Sequence, residues 1–424
     1  MLQLKKLALV LAIFVGFVGS ANAKNLSSDV EAKLDTFSEV FERVRLHYVE
    51  ELSGAEIIDK AIAGMLADLD PHSNYLPPKS FQSMKESTSG EFGGLGITVS
   101  WDKGVVKVIS PIDDTPAAKA GIQAGDYIIK INGKDVEGTS LSKAVEQMRG
   151  KVGTKITITV LREGEKPFEK TLTREKIKTP SVKSELKEGG IAYIRVTNFN
   201  QTVETNVLTA LAEMEKENDN KPIKGLVLDL RNNPGGLLDQ AVKLSDLFLN
   251  QGDIVSTKGR DASQNQVFKA TEGDVLEGKP IVVLINGGSA SASEIVSAAL
   301  KDHGRAVVMG TKSFGKGSVQ TVIPLSDGAG MKLTTSLYYT PSNETIQAKG
   351  VTPNIEVKQA KLEEIKYDLN FSESSLNGHL ETEEEKNSDK KVTLEKNKDK
   401  DNKKDYQLLR AIDTIKALAL WSNK

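Results

Sequence analysis

The chain reads as a multidomain α/β protein, and three patterns say so. Residues 180–360 alternate apolar, β-forming runs with amphipathic helical stretches; residues 86–175 hold short strands broken by glycine turns; residues 30–72 and 406–421 set apolar side chains at helical spacing. At 424 residues the chain exceeds one ordinary core, and 38% hydrophobic residues suffice to bury two or three folded units.

At the N-terminus, Lys5 and Lys6 precede an apolar run over 7–18 and an Ala21-Asn-Ala23 site, the pattern of a secretory leader cleaved after Ala23. The run is short for a membrane span, and an uncleaved anchor is the alternative. Export to a periplasm-like compartment, as a soluble or peripherally membrane-associated protein, is expected either way. Leu34, Phe37, Val40, Phe41 and Val44, then Ile57, Ile58, Ile62, Met65 and Leu66, predict two helices, the second closed before Pro71. Strands follow over 97–100, 105–109, 127–131 and 156–161, around helices at 116–120 and 141–148. Next come strands over 191–196, 225–230 and 281–285, helices over 203–217 and 237–249, and a helix ending near Lys301. Two β-rich runs, 305–309 and 319–325, flank a glycine-containing loop. Residues 372–405 are polar with nearly balanced acids and lysines, which predicts a flexible insert, not a polybasic arm. Tyr406, Leu409, Ile412, Ile415 and Leu418 then make an apolar helical stripe that needs a surface: this chain, a second protomer or an adaptor.

Composition removes whole classes of chemistry. With no cysteine there is no thiol nucleophile, disulfide or thiolate metal site, and no other metal-ligand spacing is present. A formal charge of -2 offers nothing to nucleic acid. No cofactor motif is found.

The chemistry-bearing segment is Gly287-Gly-Ser-Ala-Ser-Ala-Ser-Glu294, between the strand at 281–285 and the helix that follows. A strand, a glycine turn and a helix set a small hydroxyl residue at a helix N-terminus, where unpaired amides stabilise a developing oxyanion. Ser291, with the Ala292 amide behind it, is the candidate nucleophile; use of Ser289, Ser291 and Ser293 only as helix caps is the alternative. A serine needs a base. The chain has four histidines, none suitably placed by the sequence, whereas Lys316 lies in the loop Lys312-Ser-Phe-Gly-Lys-Gly-Ser-Val-Gln320. Burial disfavours a charged amine and so makes a lysine a base, and Gln320 can orient that amine without adding charge. A phosphate-binding P-loop is the competing reading of 310–317, but Gly317 stands where Ser or Thr is required and a strand follows in place of a helix.

With these residues in place the chain resembles the carboxyl-terminal processing peptidases, or tail-specific serine proteases. The resemblance runs over most of residues 30–360, through Leu69-Asp-Pro-His-Ser-Asn-Tyr-Leu76, Gly93-Gly-Leu-Gly-Ile97, Ala120-Gly-Ile-Gln-Ala-Gly-Asp126, Asp229-Leu-Arg-Asn-Asn-Pro-Gly-Gly236, the serine segment and Ser313-Phe-Gly-Lys-Gly-Ser-Val-Gln320. It implies a crotonase/Clp-protease-like α/β spiral core and an inserted domain resembling a PDZ domain, with helical N- and C-terminal regions. It implies a Ser291, Lys316, Gln320 site without cofactor, with Ala292 and either Gly235 or Gly236 as oxyanion donors. The Gly93, Gly94, Leu95, Gly96, Ile97 loop is expected to take a peptide's terminal carboxylate while the peptide adds a strand to the sheet edge; a plain glycine turn is the alternative. Arg149 matches a residue that couples PDZ position to activity in some relatives, and reads equally as a solvated helix-end cation. The expected division is leader 1–23, helical region 24–85, PDZ domain 86–176, protease core 177–360, charged segment 361–405 and helix 406–424. Expected partners are substrates with accessible carboxyl termini, a second copy of the chain in a dimer or higher oligomer, and an adaptor. A PDZ-bearing scaffold, or a protease inactive without its adaptor, is the alternative function.

Overall fold

The computed structural model describes residues 27–361, 380 and 405–422; the expected leader and most of the charged segment lie outside them. The chain forms two compact units, Met1–Tyr75 and Leu76–Lys424. The first contains α1 (Ser28–His47) and α2 (Gly54–Ala67), the two helices that the apolar spacing predicts. A reciprocal cap opens α2: the Glu56 amide donates to Ser53 Oγ at 3.2 Å, and the Ser53 amide donates to Glu56 Oε2 at 2.8 Å. No side chain of α1 is buried, and Val30, Leu34, Phe37 and Val40 are exposed. A short strand, β1 (Asn74–Leu76), closes this part of the chain.

The second unit opens with a helix that the sequence reading missed, α3 (Pro78–Ser89), started by Pro78 and stopped by Gly90 in the left-handed conformation. Then come β2 (Glu91–Gly94), β3 (Ile97–Asp102), β4 (Val105–Pro111), α4 (Pro116–Lys119), β5 (Tyr127–Ile131), β6 (Lys134–Asp135), α5 (Leu141–Met148), β7 (Lys155–Leu161), β8 (Phe168–Thr173) and β9 (Glu175–Lys178). Strands β3-β4-β5-β7-β8 form one antiparallel sheet with β3 at its edge, and β2 pairs with β9 as a separate ribbon. Inward residues Val106, Val108, Ile128, Ile156 and Ile158 close its core. Asp126, almost fully buried, is held by the Arg162 guanidinium at 2.7 and 2.9 Å. Burial pushes its carboxyl up, and the bonds from Arg162 and the Gln123 amide outweigh this and hold it below the usual range.

The remaining elements are β10 (Val182–Lys187), β11 (Ile191–Val196), α6 (Val203–Glu217), β12 (Gly225–Asp229), α7 (Leu238–Asp246), β13 (Asp253–Gly259), β14 (Gln266–Lys269), β15 (Ile281–Ile285), α8 (Ala292–Asp302), β16 (Val307–Gly310), β17 (Ser318–Pro324), β18 (Gly330–Tyr339), β19 (Ile355–Glu356) and α9 (Tyr406–Ser422). Strands β10-β11-β12-β15-β16-β19 make the central sheet, parallel from β11 onward. Every residue of β12 and β15 is buried, as a parallel sheet covered on both faces requires. Alternate residues divide between the faces. Leu226, Leu228, Ile281, Val283 and Ile285 pack with α6, α7 and α8, whereas Val227, Val282, Leu284 and Met309 pack with Ala411 and Ile415 of α9. Of the three surfaces open to the C-terminal stripe, it thus covers this chain's own sheet. A second sheet pairs β14, β13, β18 and β17 antiparallel.

A polar clasp fixes the start of α9. Arg231, just past β12, donates to both oxygens of buried Asp229 (2.9 and 2.7 Å) and both of Asp405 (2.9 and 2.6 Å), and to Gln407 Oε1 at 2.9 Å. Burial alone would raise the Asp405 carboxyl; the Arg231 guanidinium outweighs it and holds the group below the usual carboxylate range. The stabilisation this carboxylate contributes is therefore present above about pH 4 and is lost as the pH falls through the depressed value.

Two outcomes are expected in urea unfolding. Ile415→Ala, which empties a fully buried position on the sheet, should cost about 2–4 kcal/mol. Asp405→Asn should cost about 1 kcal/mol at pH 7, a figure kept small because Asp405 is a third exposed, and the gap to the parent should close below about pH 4.

Candidate active site

Strand β15 delivers the chain to a turn whose serines have separate jobs. Ser289 Oγ donates to the Leu230 carbonyl at 2.8 Å and accepts from the Asn286 amide at 3.0 Å. Ser293 Oγ donates to the Asn233 carbonyl at 2.9 Å, and the Ala290 amide reaches the same oxygen at 3.0 Å. Both flanking serines are thus spent on tethering the turn to the segment that follows β12. Ser291 sits between them with φ 54° and ψ -113°, a conformation non-glycine residues rarely adopt and which costs roughly 1–3 kcal/mol. Its hydroxyl hydrogen-bonds to Tyr338 on β18, whose phenol is raised by burial while the bond to Ser291 acts the other way. At the first position of α8, the Ala292 amide has no carbonyl one turn back to pair with.

Against this turn lies Asn233-Pro-Gly235-Gly236. Gly235 has φ 102°, and a Cβ there would stand 2.8 Å from the Ala290 carbonyl and 2.9 Å from Ser291 Cβ, so only glycine lets the two turns touch. The Gly235 amide is already donated to Asn233 Oδ1 at 2.9 Å. Gly236 lines the same cleft as Ser291.

Lys316 and Gln320 approach from the loop before β17 and from β17 itself. Lys316 Nζ donates to Gln320 Oε1 and, at 3.4 Å, to the Ser318 carbonyl. Gln320 is in turn oriented by two hydroxyls, its Nε2 donating to Ser318 Oγ at 2.9 Å and to Thr334 Oγ1 at 3.3 Å. With its nitrogen engaged there, the amide presents its oxygen to the lysine.

Glu294 is the residue that the sequence reading passed over. Fully buried on α8, its Oε1 accepts from Ser313 Oγ (2.5 Å) and the Gly315 amide (2.7 Å), and its Oε2 from the Ser291 amide (2.8 Å) and the Lys316 amide (2.9 Å). One carboxylate therefore ties the backbone of the candidate nucleophile to that of the candidate base. The signal was present: Glu294 stands three residues after Ser291, the spacing of a reciprocal helix cap. Tyr338 was missed because β18 was not foreseen.

Ser291, Lys316, Gln320, Gly236 and Tyr338 share a cleft of about 340 Å³, walled on one side by Met84, Ser87 and Thr88 of α3 and on another by Val322 and Lys332 of the β17–β18 hairpin. The expected peptide loop is elsewhere. Gly93 and Gly94 belong to β2 and pair with Lys176 and Glu175, Leu95 is buried, Gly96 turns the chain at φ 74°, and Ile97 opens edge strand β3. The Leu95 and Gly96 carbonyls accept from the Ala117 and Ile112 amides. Arg149, at the end of α5, lies over the Phe92 ring at 4.3 Å and lines a second cleft with Ser83, Pro180 and Asn198. Asp302, at the end of the serine helix, accepts from the Ser342 amide at 3.1 Å.

Comparison with known proteins adds to this geometry. Residues 190–357 match peptidase family S41 and residues 93–168 match the PDZ domain. A carboxy-terminal-processing protease of Bartonella bacilliformis is 48% identical over 394 residues, 92% of this chain and 90% of its own. The carboxy-terminal processing protease CtpA of Bacillus subtilis is 36% identical over 83% of this chain and 74% of its own. Among solved structures, a photosystem II D1 C-terminal processing protease covers 78% of this chain and 94% of its own at 29% identity, with a TM-score of 0.44. A relative so similar over nearly the whole chain establishes the family: this protein belongs to peptidase family S41, the carboxy-terminal processing proteases, as a serine peptidase with a PDZ domain.

Proposed function

We propose that the protein cleaves exported polypeptides at or near their carboxyl termini with Ser291 as nucleophile and Lys316 as general base. The observation that carries this reading is the strained Ser291 at the start of α8, opening into the cleft that also holds Lys316. Lys316, as the neutral amine, takes the Ser291 proton; the alkoxide oxygen bonds to the scissile carbonyl carbon, and the carbonyl π electrons move to its oxygen. The Ala292 amide and a glycine amide hold that oxyanion. Gly236 is the better glycine, because the Gly235 amide is already bonded to Asn233. Lys316 then returns the proton to the leaving amine, and water hydrolyses the acyl-enzyme by the same steps. Gln320 accepts an N–H from Lys316 as a neutral amide, so it orients the amine without favouring the charged form as a carboxylate would.

The PDZ region supplies tail selection in this reading. Edge strand β3 and the Leu95-Gly96 turn would take the peptide end as an added strand with its carboxylate on backbone amides, and capture there raises the effective concentration of the tail at Ser291. Arg149 on Phe92 would carry PDZ position toward the catalytic core. The leader-like residues 1–23 support export to the periplasm, and the apolar side chains that α1 exposes support self-association through the N-terminal helices. An adaptor-dependent enzyme is the second reading: the PDZ surface would then serve the adaptor.

The test is cleavage of an unstructured polypeptide with an apolar free carboxyl terminus. Ser291→Ala and Lys316→Ala should each lower kcat/KM by at least about 10³-fold with unchanged circular dichroism; cutting by Lys316→Ala would remove that residue as base, and an inert parent that binds the tail would favour the adaptor reading. Glu294→Gln turns two acceptor positions into donors that face amides, so the serine and lysine turns should separate: kcat is expected to fall roughly hundredfold in the same assay, with a lowered melting temperature.

A further inference from the structure

The cleft around Ser291 holds a cation that the proposed mechanism does not use. Lys332 is partly buried in its wall, yet its ammonium has no ion pair or hydrogen bond among the described residues. Arg162, Arg231 and Arg305 are matched by carboxylates (Asp126; Asp229 and Asp405; Asp274), and buried Arg174 is held by three backbone carbonyls and the Thr154 hydroxyl. Among the described residues, no Asp or Glu lines the cleft. An ammonium drawn partly out of water without a counter-charge is a cost that the free protein bears and a ligand anion can offset.

Its register sets it beside the reacting groups. On the β17–β18 hairpin, Gln320 pairs with Thr334 and Val322 with Lys332. Residues two apart on a strand share a face, about 7 Å apart, so Lys332 occupies the row that carries Thr334, the residue orienting Gln320. It stands directly across from Val322, and the three N–H donors of its head are suited to a carboxylate. Apart from Lys316 and Tyr338, the rest of the cleft is lined by groups without ionisable side chains, such as Met84, Ser87, Asn198 and Leu238, which suit uncharged side chains and peptide backbone.

We infer that Lys332 is a specificity-determining residue that receives a substrate carboxylate bound next to the scissile peptide. The carboxylate has two possible sources, an Asp or Glu side chain flanking the cut or the free α-carboxylate of a tail cut very close to its end. The inference rests on the peptidase reading of the cleft, and its test includes a binding measurement that does not require cleavage.

The experiment uses the mature chain, Lys332→Met, which keeps an apolar stem without charge, and Lys332→Arg, which keeps the charge. The substrates are quenched fluorescent peptides with Glu or Gln at each position flanking the cut, carrying amidated ends that avoid a carboxylate-binding PDZ loop, together with one Gln peptide in free and amidated form. The parent should favour the carboxylate-bearing member of one pair by roughly five- to tenfold in kcat/KM. Lys332→Met should abolish that preference while cutting the neutral peptide at the parent rate, and Lys332→Arg should keep it. Loss of a Glu-over-Gln preference identifies the side chain as the source, and loss of a free-over-amide preference identifies the α-carboxylate; a preference due to the PDZ loop would not respond to Lys332. The same pairs are titrated by fluorescence anisotropy against Ser291→Ala with and without Lys332→Met. A Lys332-dependent binding preference in Ser291→Ala sustains Lys332, and if the parent chain then cuts none of the peptides, it is the peptidase mechanism and not the role of Lys332 that is overturned. No preference in the parent, a preference that survives Lys332→Met, or an equal loss on all peptides overturns the role of Lys332.

Discussion

The buried carboxylate of Glu294 is the interaction on which the rest of the site depends. Its two oxygens collect one hydroxyl and three backbone amides, two of which belong to Ser291 and Lys316. A charge so deep is tolerated only when its acceptor positions are filled, and the donors here come from the serine turn and the lysine loop, segments joined through α8 and β16. The Ser291 backbone, in a conformation that local energetics disfavours, is thus held by a bond strong enough to offset the strain. Ser313 extends the arrangement: its hydroxyl donates to Glu294 and accepts from the Val351 amide at 2.6 Å. Sequence positions 291, 313–316 and 351 are thereby locked in one frame, and the candidate nucleophile and base have their backbones placed by hydrogen bonds to one carboxylate.

Arg231 does for the sheet what Glu294 does for the turns. Asp229 ends β12, Arg231 begins the segment that leads to Asn233 and Gly235, and Asp405 opens α9. A single guanidinium therefore joins the strand end that feeds the Asn233–Gly236 turn to the helix that covers the second face of the sheet. That face is fully apolar at Val227, Val282 and Leu284, and without α9 a parallel sheet would meet water there. The covering helix and the turns of the candidate site meet at the same end of β12, so the energy of closing the core also restrains the site.

The candidate serine, lysine and glutamine stand out in the sequence because each lies in a short segment whose glycines and flanking strands announce a turn, and the three line one cleft. The helical and strand runs of the core were legible for the same reason, with β11 and β15 matching their predicted spans. What was not legible depends on partners distant in sequence. Strand β18, Gly-Met-Lys-Leu-Thr-Thr-Ser-Leu-Tyr-Tyr, has no clean alternation and becomes a strand by lying between β13 and β17, so Tyr338 and Lys332 were unassigned. Helix α3 is mostly polar, with one buried side chain, Phe81, and gives no apolar stripe to read. Asp405 fell in a stretch that composition marks as a solvated tether, yet it pairs with an arginine 174 positions away. The surface chosen by α9 was one of three open to an amphipathic helix, and the parity of Val227, Val282 and Leu284, legible only once the strands are aligned, decides it.

Helix α3 shows how the PDZ region and the cleft are mechanically connected. Its Met84, Ser87 and Thr88 wall the catalytic cleft, while Ser83, Glu86 and Ser87 line the second cleft with Phe92 and Arg149. The C-terminal end of α3 is anchored to the catalytic core, since the Gln201 amide donates to the Thr88 carbonyl at 3.0 Å. Beyond it, the chain enters the PDZ sheet only through the β2–β9 ribbon, where Gly93 lies so close to Gly150 that a Cβ would stand 2.0 Å from its carbonyl. A packed contact of that kind passes displacement on rather than absorbing it, because close-packed backbones lack the free volume to yield. A ligand that binds two positions of the PDZ sheet with different affinity would bias the α3 wall by that difference and no more. One helix thus contributes residues to both clefts, Met84, Ser87 and Thr88 to one and Ser83, Glu86 and Ser87 to the other.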